Sequence, residues 1–90
     1  LEPAAAVVFD RAAAQGLAET AGQEHFPMLR SLAEDADWDI RHSAARGLGR
    51  LRTAETRDVL LTLARDVESV VGATARAALE QSQVPVSSAA

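Results

Sequence analysis

The chain has 90 residues, of which 48% are apolar and only 3% aromatic, so it suffices for one domain with a modest aliphatic core. Its net charge of −4 argues against nucleic acid or an anionic membrane surface as the main partner. The sequence contains no cysteine, which excludes disulfides, thiolate metal sites and a thiol nucleophile and leaves the cellular compartment open.

The first predicted element is an alanine-rich helix over residues 4–20, with Gly22 as the signal for its end. It carries Val7, Val8 and Phe9, which together with its other apolar residues exceed what one packing face needs. We therefore expect this helix to be covered by upstream sequence or to self-associate with a second copy. The chain begins with a leucine, from which we expect it to be part of a longer protein.

Two further helices are predicted over residues 25–35 and 39–50, because apolar residues recur there with helical spacing. Pro27 lies near the start of the first, where its missing N–H costs nothing. Asp37 is the predicted N-cap of the second, and Asp39 lies in its first turn, where the helix dipole favours anions. The apolar positions are Phe26, Leu29, Leu32 and Ala33 in the first helix, and Ile40, Ala44, Gly47, Leu48 and Leu51 in the second.

The last two predicted helices cover residues 55–65 and 69–81, and Thr53 is the predicted cap of the former. The remaining residues, 82–90, contain proline and several serines and are predicted to form a flexible tail or linker. No apolar run approaches the length of a membrane span and no signal peptide is visible, so we expect a cytoplasmic location without a membrane partner.

The chain repeats itself with a period of 31, and most of its leucines follow this period. We interpret residues 1–22 as the second helix of one repeat, residues 23–52 and 53–81 as two full repeats, and residues 1–81 as one repeat segment. The leucines in register are Leu1, Leu32 and Leu63, then Leu17, Leu48 and Leu79, and finally Leu29 and Leu60.

Residues 32–51 contain a recognisable order of residue types. Leu and Asp close the first helix, and Asp, a β-branched residue, Arg, paired small residues and Leu follow. The residues in this order are Leu32, Asp35, Asp37, Ile40, Arg41, Ala44, Ala45 and Leu48. The segment resembles the short HEAT-like repeat of the phycobilisome-lyase type. The resemblance implies an all-α fold, a right-handed α-solenoid of helical hairpins with about five helices. Gly72 and Asp10 depart from it, since each stands where the pattern has Arg.

No residues point to catalysis, a metal or another cofactor. Asp35, Asp37 and Asp39 begin like a calcium loop, but the glycine and the glutamate that such a loop requires are replaced by Ile40 and Arg46. The two histidines, His25 and His42, lie on different predicted helices, so they do not form the pair at four-residue spacing by which one helix binds a metal, usually with a third ligand. We therefore predict a chain without an enzymatic activity of its own.

A basic stripe is the candidate interaction surface. His42, Arg46 and Arg50 follow one another at four-residue spacing on the helix that, by the resemblance, lines the concave face. An acidic protein patch, a nucleic acid, or a solvated face with local ion pairs could explain the stripe. Arg11 has the register of His42 in the first unit, but the stripe does not continue as a phosphate track would, and Glu19 can neutralise Arg50.

Trp38 and Arg41 have alternative explanations of their own. Trp38 either covers the turn between two helices or serves as an exposed aromatic anchor at an interface. Arg41 is expected to bind carboxylates at the turns, from Asp35 or Asp37 of its own repeat or Asp66 of the next.

These features favour a non-catalytic protein-interaction or scaffolding segment of a larger protein. The alternative is a segment that holds the substrate of a bilin-lyase-like enzyme, and a nucleic-acid-binding surface is the least favoured interpretation.

Overall fold

The structure is a computed structural model that describes residues 10–82, and within them the chain is helical, with no strand. The five α-helices expected from the sequence are confirmed for this part of the chain. A short 3₁₀ turn, Gln23–His25, precedes the second of them. The helices are Arg11–Thr20 (α1), Phe26–Leu32 (α2), Trp38–Leu51 (α3), Ala54–Leu63 (α4) and Ser69–Ser82 (α5).

The first helix differs from the prediction of one continuous helix over residues 4–20. Asp10 has an extended backbone, and its side chain accepts a hydrogen bond from the N–H of Ala13, so that α1 begins at Arg11. An aspartate in this geometry starts a helix and cannot lie inside one. The sequence predicts Gly22 as the end of the helix, but α1 ends at Thr20 and Gly22 caps the 3₁₀ turn. Residues 4–9, to which the prediction of self-association refers, lie outside the described residues, as does the predicted tail beyond Ser82.

The helices form two layers. In the front layer α3 lies between α1 and α5 and packs against both. In the back layer α2 packs on α3, and α4 packs on both α3 and α5. Within each α2–α3 or α4–α5 pair the two helices are joined by a short turn, which places both turns at one edge of the stack.

Side chains of polar residues cap the helices where the sequence predicts caps. The Asp37 carboxylate accepts a hydrogen bond from the N–H of Asp39 (2.9 Å), and Thr53 caps α4 by accepting from the N–H of Thr56. His25 also has a capping role, since the N–H of Gly22 donates to its Nδ1 at 2.9 Å. This hydrogen bond gives His25 a structural role that the sequence does not predict.

The core lies between the two layers and is aliphatic. Two leucine pairs that the sequence places in register, Leu32 with Leu63 and Leu48 with Leu79, are buried at both members. α3 and α5 each have 14 residues. They begin at equivalent positions of the two helix pairs, one residue after Asp37 and one after Glu68. The largest apolar side chains that are fully buried are Leu29, Leu48 and Val71.

Small residues let the front-layer helices approach one another closely. A Cβ atom on Gly49 would lie 2.9 Å from the Cβ of Ala78 on α5, nearer than real Cβ contacts allow. A Cβ on Gly47 would lie 2.8 Å from a methyl group of Leu29 and 3.3 Å from the Cα of Ala18 on α1. The two glycines therefore allow α3 to pack closely against α1 and α5. They also leave no side chain protruding from α3 at these two positions.

Candidate interaction groove

Arg41 links two successive helix pairs. Its guanidinium donates to both carboxylate oxygens of Asp66, Nε to Oδ2 at 2.7 Å and Nη2 to Oδ1 at 3.0 Å. Nη1 donates to the backbone carbonyls of Asp35 and Ala36, at 2.8 and 3.1 Å. Arg41 and Asp66 expose only 15% and 8% of their side chains. The link thus holds α3, the turn before it and the turn before α5 together.

This arrangement changes the acidity of Asp66. The hydrogen bonds from Arg41 are the main cause that lowers the pKa of the Asp66 carboxyl, and the N–H of Glu68 acts in the same direction. Of the three predicted partners of Arg41, Asp66 supplies its carboxylate and Asp35 only its backbone carbonyl. The carboxylate of Asp37 forms its hydrogen-bonded ion pair with a different arginine.

That arginine is Arg11, at the start of α1. It donates to both carboxylate oxygens of Asp37 at 3.0 Å, and its Nη1 lies 3.4 Å from Asp39. Its guanidinium also lies 5.6 Å from the ring centroid of Trp38, within cation–π range. Hydrogen bonding from Arg11 and from the N–H of Asp39 lowers the pKa of the Asp37 carboxyl. Arg11 therefore links α1 to the next turn, as Arg41 does one pair further along.

The predicted interaction surface is consequently divided between two places. Arg11 and Trp38 contact each other at the turn edge, where Trp38 is still 37% exposed. Arg46 and Arg50 lie further along α3 and line a groove, while His42, one turn before Arg46, is half-buried and does not line it.

The groove is an open cavity of about 710 Å³ on the front layer. α1, α3 and α5 all contribute to it, and its least exposed residues, which form its floor, are the buried Ala18 and Ala45 and the half-buried Gly49 and Ala78. Arginines and other polar side chains stand around this floor. The lining residues are Ala18, Glu19, Ala45, Arg46, Gly49, Arg50, Arg52, Thr74, Ala77, Ala78 and Gln81.

Three arginines and one glutamate give the groove its charge. The Glu19 carboxylate lies 3.9 Å from Arg46, so it does not neutralise Arg50 as the sequence suggests. The side chains of Arg50 and Arg52 form no hydrogen bond or ion pair with any described residue. The groove thus carries a net positive charge on a chain whose overall charge is −4.

Arg52 is a groove residue that no sequence pattern indicates. It is the C-cap of α3, and its backbone has φ 56° and ψ 43°, the left-handed conformation in which glycine is usual. It is the only non-glycine residue with positive φ among residues 10–82. The sequence does not predict this left-handed conformation, because an arginine after a leucine ordinarily has a right-handed or extended backbone.

Arg76 is a second arginine whose role the sequence does not predict. Gly72 stands where the repeat pattern has Arg, and Arg76, one turn later, donates from Nη1 to the carbonyl of Ala64 at 3.0 Å. Because the Cα of Gly72 bears no side chain, the guanidinium fits beside it; a Cβ there would be 3.1 Å from Nη1. The turn before α5 is therefore held by an arginine that lies four residues after the position at which the repeat pattern has one.

Among residues 10–82, no group of three or more His, Asp or Glu side chains is placed to hold a metal ion. No helix in that part of the chain combines the length and the apolar character needed to cross a membrane.

The comparisons with known proteins give one family. The sequence profile of the family described as HEAT repeats matches residues 3–80 of this chain. None of the curated proteins and none of the solved structures matches it.

Proposed function

The chain belongs to the HEAT-repeat family, and we propose that it acts as a non-catalytic protein-interaction module whose binding surface is the groove on the front layer. HEAT repeats commonly serve as protein-interaction or scaffolding modules. In such modules rigid stacked helices present one row of side chains to a partner, and no chemistry is performed.

The observation that carries the proposal is the groove itself. All three front-layer helices line it, so a partner bound there would contact the whole width of the described stack. Its floor is made of small residues, and its rim holds charged side chains that can select a partner. Within the described part of the chain, the back-layer helices α2 and α4 contribute no residue to it.

The finer features of the fold belong to the same proposal. The buried leucine pairs and the equal length of α3 and α5 support a solenoid in which the two helix pairs are successive repeats. Its right-handed sense and its period of 31 residues remain predictions. The phycobilisome-lyase subtype, self-association through residues 4–20 and the division into residues 1–81 and 82–90 remain predictions.

Site-specific crosslinking tests the proposed binding surface, and the absence of native cysteine makes it practical. A photo-crosslinker attached to Ala77→Cys would report on the groove, and one attached to Ser31→Cys, exposed on α2, serves as the matched control. In extracts of the host cell we expect one recurrent protein adduct from position 77 and none from position 31.

Adducts of equal strength from both positions, or adducts from position 31 alone, would assign binding to another surface. Circular dichroism of the labelled variants establishes that both are folded.

A further inference from the structure

We propose that the groove recognises an acidic protein segment, whose carboxylates contact Arg46, Arg50 and Arg52. This inference rests on the proposed function and adds to it the chemistry of the partner.

The arginines of the groove are less fully paired with carboxylates than Arg11 and Arg41 are. Arg11 and Arg41 are each held by two hydrogen bonds to one aspartate, at the turn edge of the stack. In the groove, by contrast, the Glu19 carboxylate reaches only Arg46, at 3.9 Å. Arg50 and Arg52 contact no carboxylate among the described residues, so their donors are available to a ligand. Arginine forms its strongest hydrogen bonds with anionic groups such as carboxylates.

The backbone conformation of Arg52 also favours a functional role for this residue. A residue other than glycine is strained when its backbone is left-handed, and such strained residues are more frequent at functional sites. The helix dipole accounts for cations near the end of α3, but it does not require one in this conformation. Arg52 lines the groove and also a smaller cavity of about 210 Å³ between α3, α4 and α5.

The distribution of basic residues in the groove favours an acidic protein over a nucleic acid. A duplex would require basic residues that continue along its phosphates. The arginines of the groove lie on α3 or at its end, whereas α1 contributes Glu19 and α5 contributes Thr74 and Gln81. A short run of carboxylates matches this local cluster, and the floor of alanines lets a peptide backbone approach closely.

The test uses a fluorescently labelled peptide of alternating glutamate and alanine, titrated with the 90-residue chain and followed by anisotropy. Arg50→Ala and Arg52→Gly are the groove variants, and Arg30→Ala, an exposed arginine of α2, is the matched control. We expect each groove variant to lose about fivefold to tenfold in affinity and the control less than about twofold. Affinity should also fall as salt rises.

Arg52→Gly provides an internal check on folding. Since glycine relieves the strained backbone, this variant should melt at a higher temperature while it binds more weakly. A loss of affinity in a more stable protein cannot be attributed to unfolding.

Three results would overturn the inference: equal affinity of the groove variants and the control, no binding of the peptide, or tighter binding of a DNA duplex than of the peptide. Any of them leaves the proposed function intact if the crosslinker at position 77 still captures a protein partner.

Discussion

At the scale of single residues, two buried hydroxyl groups differ in their hydrogen bonding. The Thr56 hydroxyl donates to the carbonyl of Thr53 at 2.8 Å and accepts from its N–H at 2.9 Å. The Ser43 hydroxyl, on α3, is fully buried and has no hydrogen-bond partner among the described residues. A buried polar group without a partner keeps its desolvation penalty, whereas a bonded one offsets it.

The two hydroxyls should therefore respond oppositely to removal. Ser43→Ala should raise the free energy of unfolding by about 1 kcal/mol, because alanine removes the unbonded oxygen and favours helix. Thr56→Val should lower it by about 1–2 kcal/mol, because the Thr56 side chain loses its hydrogen bonds to the backbone N–H and carbonyl of Thr53, whereas the cap bond from the Thr56 N–H to the Thr53 hydroxyl remains. Urea unfolding of both variants measures the difference, and a Ser43→Ala protein less stable than the parent would show that the hydroxyl has a partner.

Asp66 gives a prediction about pH. Its pKa is lowered in the folded protein by the hydrogen bonds from Arg41, so the folded state binds a proton less readily than the unfolded chain does. The stabilisation from this pair is thus fully present above the ordinary aspartate pKa of about 3.9 and is lost as pH falls through the folded pKa.

Asp66→Asn should accordingly cost about 1–3 kcal/mol of unfolding free energy near neutral pH, since it leaves the largely buried side chain of Arg41 without its carboxylate. The gap between the variant and the parent should shrink as pH drops below about 4. Denaturant titrations at several pH values test this, with Asp58→Asn on the exposed surface of α4 as the control. A gap that stays constant down to about pH 2 would mean that the charge of Asp66 does not matter.

At the scale of helices, contact distances in the front layer depend on glycine. Gly49 of α3 touches Ala78 of α5 so closely that an added Cβ has no room, whereas a Cβ on Gly16 of α1 would meet nothing within 4 Å. Both glycines lie inside helices, where glycine itself is unfavourable. Any difference between them on substitution therefore reports on packing between the helices.

Gly16→Ala should stabilise the fold by about 0.5–1 kcal/mol, the ordinary gain of alanine in a helix. Gly49→Ala should destabilise it by about 1–3 kcal/mol, because α3 and α5 must move apart. Thermal unfolding of the pair measures both effects. Stabilisation by both substitutions would show that the two helices are not in close contact at Gly49.

The helices and their caps could be predicted because they depend on neighbours in the sequence. Apolar spacing locates α2 to α5 to within a few residues, and Asp37 and Thr53 cap helices as expected. Asp66 is among the partners that the sequence predicts for Arg41, but the partners of Arg11 and Glu19 could not be predicted in the same way. Arg11 reaches Asp37, and Glu19 lies near Arg46 and not Arg50, because these distances are set by how helices pack and not by their sequence.

The left-handed backbone of Arg52 could not be predicted from the sequence either. A glycine at the end of a helix predicts a left-handed C-cap, but α3 ends with an arginine in that conformation. Local rules tend to fail where function selects the residue, which agrees with its place in the groove.

At the scale of the whole molecule, the arginines of the turn edge and those of the groove serve different purposes. Along the turn edge, Arg11 and Arg41 are engaged with aspartates and join successive helix pairs into one stack. In the groove, the arginines are left largely without partners among the described residues. A chain that is acidic overall thereby gathers uncompensated positive charge on one surface, which favours acidic partners there and repels them elsewhere.

The measurement that tests this account most directly is an NMR titration of the isotopically labelled chain with the glutamate–alanine peptide. We expect the backbone amide shifts that change most to belong to groove residues of all three front-layer helices, such as Ala18, Gly49 and Ala78. The amides of α2 and the exposed side of α4 should change little. Shifts centred on the back layer, or spread evenly over the chain, would contradict the assignment of the groove as the binding surface.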